Sequence, residues 1–137
     1  MAGVGQTRDM DLPRARWTAP AMADEIGRMR RAAAAVATEH GLEGLALEHF
    51  ELAVSEALTN AVVHAYPDEP GPMSLEIECD GAELRVIIAD EGGGIAAQPT
   101  HRGLGLGLGI VASSADFCEI RSRRGVGVEV TLGFELH

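Results

Sequence analysis

Lysine is missing altogether from this sequence of 137 residues, and its 11 basic residues are all arginine. The absence excludes a Walker-A phosphate loop, the lysine-dependent cleft of protein kinases and Schiff-base chemistry. Aromatic residues are scarce, at 4%. Cysteine is nearly absent: Cys79 and Cys118 make neither a disulfide framework nor a CxxC metal or redox pair. They read as reduced core residues of a cytosolic protein. Positive charge is in deficit, with 21 acidic against 11 basic residues and a formal charge of −10. Phosphate backbones bind to basic stripes, so no direct nucleic-acid contact is expected. Long apolar runs are missing too. The longest covers residues 32–37, far short of a membrane span, and no basic-then-apolar leader opens the chain. A cytoplasmic protein that does not engage the membrane is expected.

What is present is the balance of a globular chain, with 46% hydrophobic residues and a mean hydropathy of +0.05. Residues 1–12 are expected to form a flexible tail and residues 13–137 a single domain, with no repeat or internal linker. A short strand is expected at residues 14–18. Residues 20–40, rich in Ala and Arg, predict a helix with Pro20 in its first turn and Gly41 at its end. On it, Arg28, Arg30 and Arg31 read as a solvated face. A second helix is expected from residue 43 or 44 to Tyr66, stopped by Pro67, with a Pro- and Gly-containing loop over residues 67–72.

Alternation of Leu75, Ile77 and Cys79 with Glu76, Glu78 and Asp80 predicts a half-buried strand, and Asp80-Gly81 a hairpin turn. Residues 84–89 predict a more fully buried strand. After a glycine-rich stretch, a short helix is expected over residues 106–115. Residues 117–122 and 126–134 then read as a terminal hairpin turning at Arg123-Arg124-Gly125. This order argues an α/β (α+β) two-layer sandwich, with helices on one face of a mixed, mainly antiparallel sheet.

Three features carry chemistry. In the second helix, Leu47, Phe50, Val54, Leu58, Ala61 and Ala65 form the core stripe at about 100° per residue. Glu56 lies almost opposite, with Asn60 and His64 following at one-turn steps, and Ala53 and Ala57 leave little bulk beside that line. A carboxylate and a carboxamide one turn apart suit a reacting hydroxyl and a metal-bound ligand; a solvent-facing helix edge is the alternative. The second feature is Asp90-Glu91-Gly92-Gly93-Gly94, directly after a buried strand. There Asp90 can accept from an exocyclic amine while the glycines let a ligand approach the backbone; an ordinary turn is the alternative. The third is Gly103-Leu104-Gly105-Leu106-Gly107-Leu108-Gly109, whose amides at a helix start favour an anion such as phosphate. It is not the dinucleotide fingerprint, because Leu108, Ile110 or Ala112 holds the place of the last glycine. No HExxH, GxSxG or Cys/His zinc spacing occurs. His40, His49, His101 and His137 read as surface residues, and His64 as a packing or capping residue.

In this order the features resemble the GHKL ATPase superfamily over residues 17–136. Glu56 to Asn60 resembles its N box, Asp90, Gly92 and Gly94 its first glycine box, and Gly103, Gly105 and Gly107 its second; Gly125-Val126-Gly127-Val128 sits where the last belongs. The wording around Glu56 is most similar to the anti-sigma factor serine kinases. The resemblance implies a Bergerat-type ATP-binding fold that uses ATP and Mg²⁺. Asn60 would coordinate the Mg²⁺, and Asp90 would take the adenine amino group. Gly92 and Gly94, with Gly103, Leu104, Gly105, Leu106 and Gly107, would line the nucleotide, aided by Arg102. Glu56 would be the general base toward a partner's serine. A sigma factor and an anti-anti-sigma (STAS-type) protein would be the partners, and a homodimer is compatible with the family. The segment of residues 95–102 is shorter than the family's lid, and Val126 stands where the last box usually has Thr, one hydroxyl fewer beside Asp90. The alternative is a non-catalytic ATP-binding module that holds its partner without phosphorylating it. A detached histidine-kinase ATP domain fits less well, since no helix with a phospho-accepting His is seen ahead of it.

Overall fold

The computed structural model describes residues 14–66, 68–92, 114–123 and 126–136. Five strands form one sheet: β1 (Arg14–Pro20), β2 (Pro72–Cys79), β3 (Glu83–Asp90), β4 (Phe117–Arg123) and β5 (Gly127–Glu135), in the order β1-β2-β3-β5-β4. Two helices, α1 (Ala23–Glu39) and α2 (Gly44–Asn60), lie between β1 and β2 in the chain, and a π-helical turn, Ala61–Ala65, extends α2. Each described pairing is antiparallel, in keeping with the mixed, mainly antiparallel sheet that the sequence reading expects. The reason is topological. β3 and β4 run in the same direction, but β5 is inserted between them and pairs with both.

One face of the sheet carries the core. Met73, Leu75, Ile77 and Cys79 of β2, Leu84, Val86 and Ile88 of β3, and Val130, Leu132 and Phe134 of β5 are buried. Against them α2 lays Phe50, Ala53, Val54, Ala57 and Leu58, and α1 lays Met29, Ala33, Ala34 and Ala37. The rings of Phe50 and Phe134 meet edge to face, with centroids 5.2 Å apart. The alanines keep the two helices close together above the sheet. Because the described helices cover one face, β3 alternates instead of being buried throughout: Arg85 is exposed, and Ile87 and Ala89 are half-buried. Cys79 and Cys118 are both free thiols; Cys79 is buried and Cys118 half-buried, where burial raises its pKa.

Pro20 ends β1, opposite Pro72, instead of opening α1. A proline has no N–H for a ladder and disfavours helix at the residue before it, which suits the end of an edge strand. At the other end of α1, the Leu42 N–H reaches the Ala37 carbonyl at 3.0 Å and the Gly41 N–H reaches Thr38 at 3.0 Å. These two bonds are a Schellman stop at the expected glycine. Arg28 and Arg31 are exposed as expected, but Arg30 is not merely solvated: its Nη1 donates to Ser55 Oγ of α2 at 3.3 Å.

The second helix is α-helical only as far as Asn60, and not to Tyr66. At the change of register the Asn60 Nδ2–H donates to the Glu56 carbonyl at 3.0 Å, so a side chain enters the i→i−4 ladder. No described helix is long and apolar enough to cross a membrane. The helix expected over residues 106–115 falls almost wholly outside the described residues.

Candidate functional site

The site is built where the C-terminal end of α2 meets the end of β3. Glu56 and Asn60 are half-buried, one turn apart on α2, while the residues beside and between them, Ala53, Ala57 and Leu58, are buried in the core. The bond from Asn60 Nδ2 to the Glu56 carbonyl fixes the carboxamide. Its remaining polar atom, Oδ1, is a hard oxygen acceptor. Among the described residues no group of three or more His, Cys, Asp or Glu could hold a metal. A single carboxamide oxygen is the kind of protein ligand that Mg²⁺ takes beside phosphate and water at nucleotides. The donor set thus fits Mg²⁺ carried by a triphosphate.

Asp90 closes β3. Its Oδ1 accepts the Gly92 N–H at 3.0 Å and the Val128 N–H at 3.3 Å. Burial raises the pKa of Asp90 above the ordinary 3.8, and the two backbone amides oppose that rise in part. Support for the carboxylate comes from backbone N–H groups. The missing hydroxyl at Val126 therefore does not leave Asp90 unsupported, and the Val126 side chain itself is 58% exposed.

Two glycines make this corner possible. A Cβ at Gly92 would lie 2.1 Å from the Ala65 carbonyl oxygen, so only glycine lets the turn after β3 press against the π-helical turn. The sequence reading assigns Gly92 to ligand approach; its first demand comes from the protein's own backbone. Gly127 has φ +135°, and a Cβ there would lie 2.0 Å from the Asp90 carbonyl oxygen. Gly127→Ala is expected to lower stability by about 2 kcal/mol or more, through backbone strain and overlap together. An unchanged urea midpoint would refute this.

The π-helical turn that follows Asn60 meets Gly92, two residues after Asp90, so the end of α2 and the end of β3 share one corner. The π-helical turn, which directly follows Asn60, packs on β3 and β5. Gly94, Gly103, Leu104, Gly105, Leu106 and Gly107 lie outside the described residues, as does Arg102. His64 sits exposed on the π-helical turn, and the α-helical register linking it to Glu56 and Asn60 ends before it. A hollow of about 340 Å³ beside Asp90 is lined by Ala89, Arg121 and Glu129 among others, and by neither Glu56 nor Asn60. Ala89, Arg121 and Glu129 lie on the sheet face opposite the described helices, so this hollow reaches Asp90 from the side away from α2.

Sequence reasoning assigned no role to Tyr66 at this corner, and placed Val128 only within the last glycine box. Tyr66 is the single tyrosine of the chain and directly precedes a proline, the one signal available for it.

Comparison with known proteins agrees with this fold. The family described as histidine kinase-like ATPase domain matches residues 19–134. The serine-protein kinase RsbW of Bacillus velezensis is 32% identical, over 82% of this chain and 80% of that protein. The anti-sigma F factor of Clostridium acetobutylicum is 27% identical, over 63% of this chain and 68% of that protein. Among solved structures, the RsbU and RsbW domains of Rv1364c from Mycobacterium tuberculosis share the fold, with a TM-score of 0.70 at 20% identity over 90% of this chain. This chain spans 32% of that one.

Proposed function

This chain belongs to the histidine kinase-like ATPase domain family, and on that premise we propose that it is an ATP- and Mg²⁺-dependent serine kinase of the anti-sigma type. Its substrate in this reading is a serine of an anti-anti-sigma protein, and its other partner is a sigma factor that it holds inactive. The observation that carries the reading is the butting of the α2 end against the turn after Asp90. One helix bears Glu56 and Asn60, and its π-helical extension presses Ala65 onto Gly92. The names of the relatives, a serine-protein kinase and an anti-sigma F factor, support the same reading.

Each residue then has a task. Asp90 offers Oδ2 to the adenine amino group, an interaction that guanine, with an acceptor at that position, does not make. Asn60 offers Oδ1 to the cation. Mg²⁺ held there would neutralise the negative charge of the phosphate oxygens, which otherwise repels an incoming nucleophile. Glu56 accepts the proton of the partner's serine hydroxyl as that oxygen bonds to the γ-phosphorus and the bond to the departing ADP oxygen breaks. Gly94 and residues 103–107 complete the nucleotide contacts. The chain has no lysine, so the positive field comes from the cation, backbone amides and Arg102.

The test is incubation with γ-labelled ATP, Mg²⁺ and an anti-anti-sigma domain from the same organism. Label on a serine of that domain is the expected result. ATP binding by calorimetry without transfer would make the protein a non-catalytic partner-holding module, and no ATP binding would overturn both readings.

A further inference from the structure

Tyr66 lies between the two halves of the site. It comes directly after the π-helical turn in an extended conformation, with φ −129° and ψ 97°. Its hydroxyl donates to the Pro72 carbonyl at 2.5 Å, at the start of β2, and accepts the Glu91 N–H at 2.7 Å, in the turn after Asp90. The ring covers Gly71, where a Cβ would fall 2.3 Å from Cε1 and 2.5 Å from Cζ. One side chain therefore ties three chain segments together: the extension of the Asn60 helix, the start of β2 and the turn after β3.

Glu91 stands between Asp90 and Gly92, the residue whose N–H is bound by Asp90 Oδ1. Fixing the Glu91 amide therefore fixes the plane of the peptide leading out of Asp90, and with it the aim of the carboxylate. The rest of the turn rests on Ala65, the residue just before Tyr66. A π-helical turn holds one more residue than an α-turn, so the residues beyond it are rotated by about 100° relative to an unbroken α-helix. Beyond that turn, Tyr66 reaches the start of β2 and the end of β3.

We propose that Tyr66 is a positioning residue for base selection: its hydroxyl locks the Asp90 turn to the Asn60-bearing helix and so sets the preference for adenine over guanine. The inference rests on the nucleotide reading given above. Neither Pro72 nor Glu91 has a task in phosphoryl transfer, so the link serves geometry. Burial raises the Tyr66 pKa, which keeps the hydroxyl protonated and able to donate across the neutral range.

The experiment measures ATP and GTP affinities by calorimetry for the wild type and for Tyr66→Phe, which keeps the ring over Gly71 and removes only the hydroxyl. ATP affinity is expected to fall about tenfold, about 1.4 kcal/mol, with GTP affinity changed less than about twofold, so that the ATP preference shrinks. Equal losses for both nucleotides, or no loss, overturn the assignment of Tyr66 while leaving the nucleotide reading in place. A wild type with no preference for ATP overturns the nucleotide reading itself. Amide hydrogen exchange on the unmodified protein gives a second check that does not depend on the variant folding. Protection at the Glu91 N–H is expected, and exchange at the rate of a free amide would overturn the lock.

Discussion

Glu56→Ala is expected to slow phosphoryl transfer to a partner serine by about 10²–10⁴-fold, the usual contribution of a positioned general base, while ATP still binds. The asymmetry comes from where the residue sits. Glu56 lies on the polar side of α2, whereas the buried packing of that stretch belongs to Ala53, Val54, Ala57 and Leu58. Truncation therefore removes a carboxylate and little core contact, and the thermal midpoint should barely move. The cation ligand proposed for Asn60 and the adenine acceptor proposed for Asp90 lie elsewhere and are unaltered. Glu56→Gln sharpens the result, because it keeps the shape and the hydrogen-bonding capacity but not the basicity. Single-turnover transfer and calorimetry on the same preparation decide the matter. Transfer at the wild-type rate in both variants would place the base on another residue; loss of ATP binding in step with transfer would make Glu56 a binding group.

Asp90→Asn is expected to weaken ATP binding by about 1–3 kcal/mol, the cost of breaking a hydrogen bond to a charged acceptor. It is also expected to preserve or raise stability at neutral pH. The two effects separate because of the pKa shift. Burial lifts the folded-state pKa of Asp90 above 3.8, so the native protein binds that proton more tightly than the unfolded chain does. The stability linked to this group is then fully present below pH 3.8 and is lost as pH rises through the folded pKa. Asparagine keeps an Oδ1 for the Gly92 and Val128 amides and carries no charge to desolvate. ATP affinity in the wild type should decline on acidification sooner than an exposed aspartate would dictate, and that decline should vanish in Asp90→Asn. Calorimetry across pH 4–7 beside thermal melts checks both halves; unaltered affinity, or a melt lowered along with affinity, would refute the role given to Asp90.

Legibility differed by element. The core stripe of α2 was readable from spacing: Phe50, Val54, Leu58, Ala61 and Ala65 are buried and Leu47 is half-buried, because helical periodicity survives whatever the helix packs on. The alternation in β2 and the turn at Asp80 were readable for the same local reason, with Asp80 Oδ1 accepting from Ala82 and Glu83 at 3.0 and 2.8 Å. Pro20 was misplaced because its local preferences suit both a helix start and a strand end, and pairing with Pro72 decides between them. The burial of β3 was overstated because a run such as Val86, Ile87, Ile88 and Ala89 looks the same whether helices cover one face or two. The switch from α- to π-helix at Ala61 has no periodic signature in so short a stretch.

By itself the sequence determined the elements, their order and the residue types of the site, since periodicity, turn chemistry and the Glu56, Asn60, Asp90 and Gly92 motifs are all properties of neighbouring residues. Only the tertiary structure decided what those residues touch. Asp90 takes a donor from Val128, 38 positions away, and Glu91 gives its amide to Tyr66, 25 positions away. Gly92 and Gly127 are required by carbonyl groups of other segments pressed against them. Such partners are set by how a helix end and a strand end meet over a shared core, and no count along the chain contains that meeting.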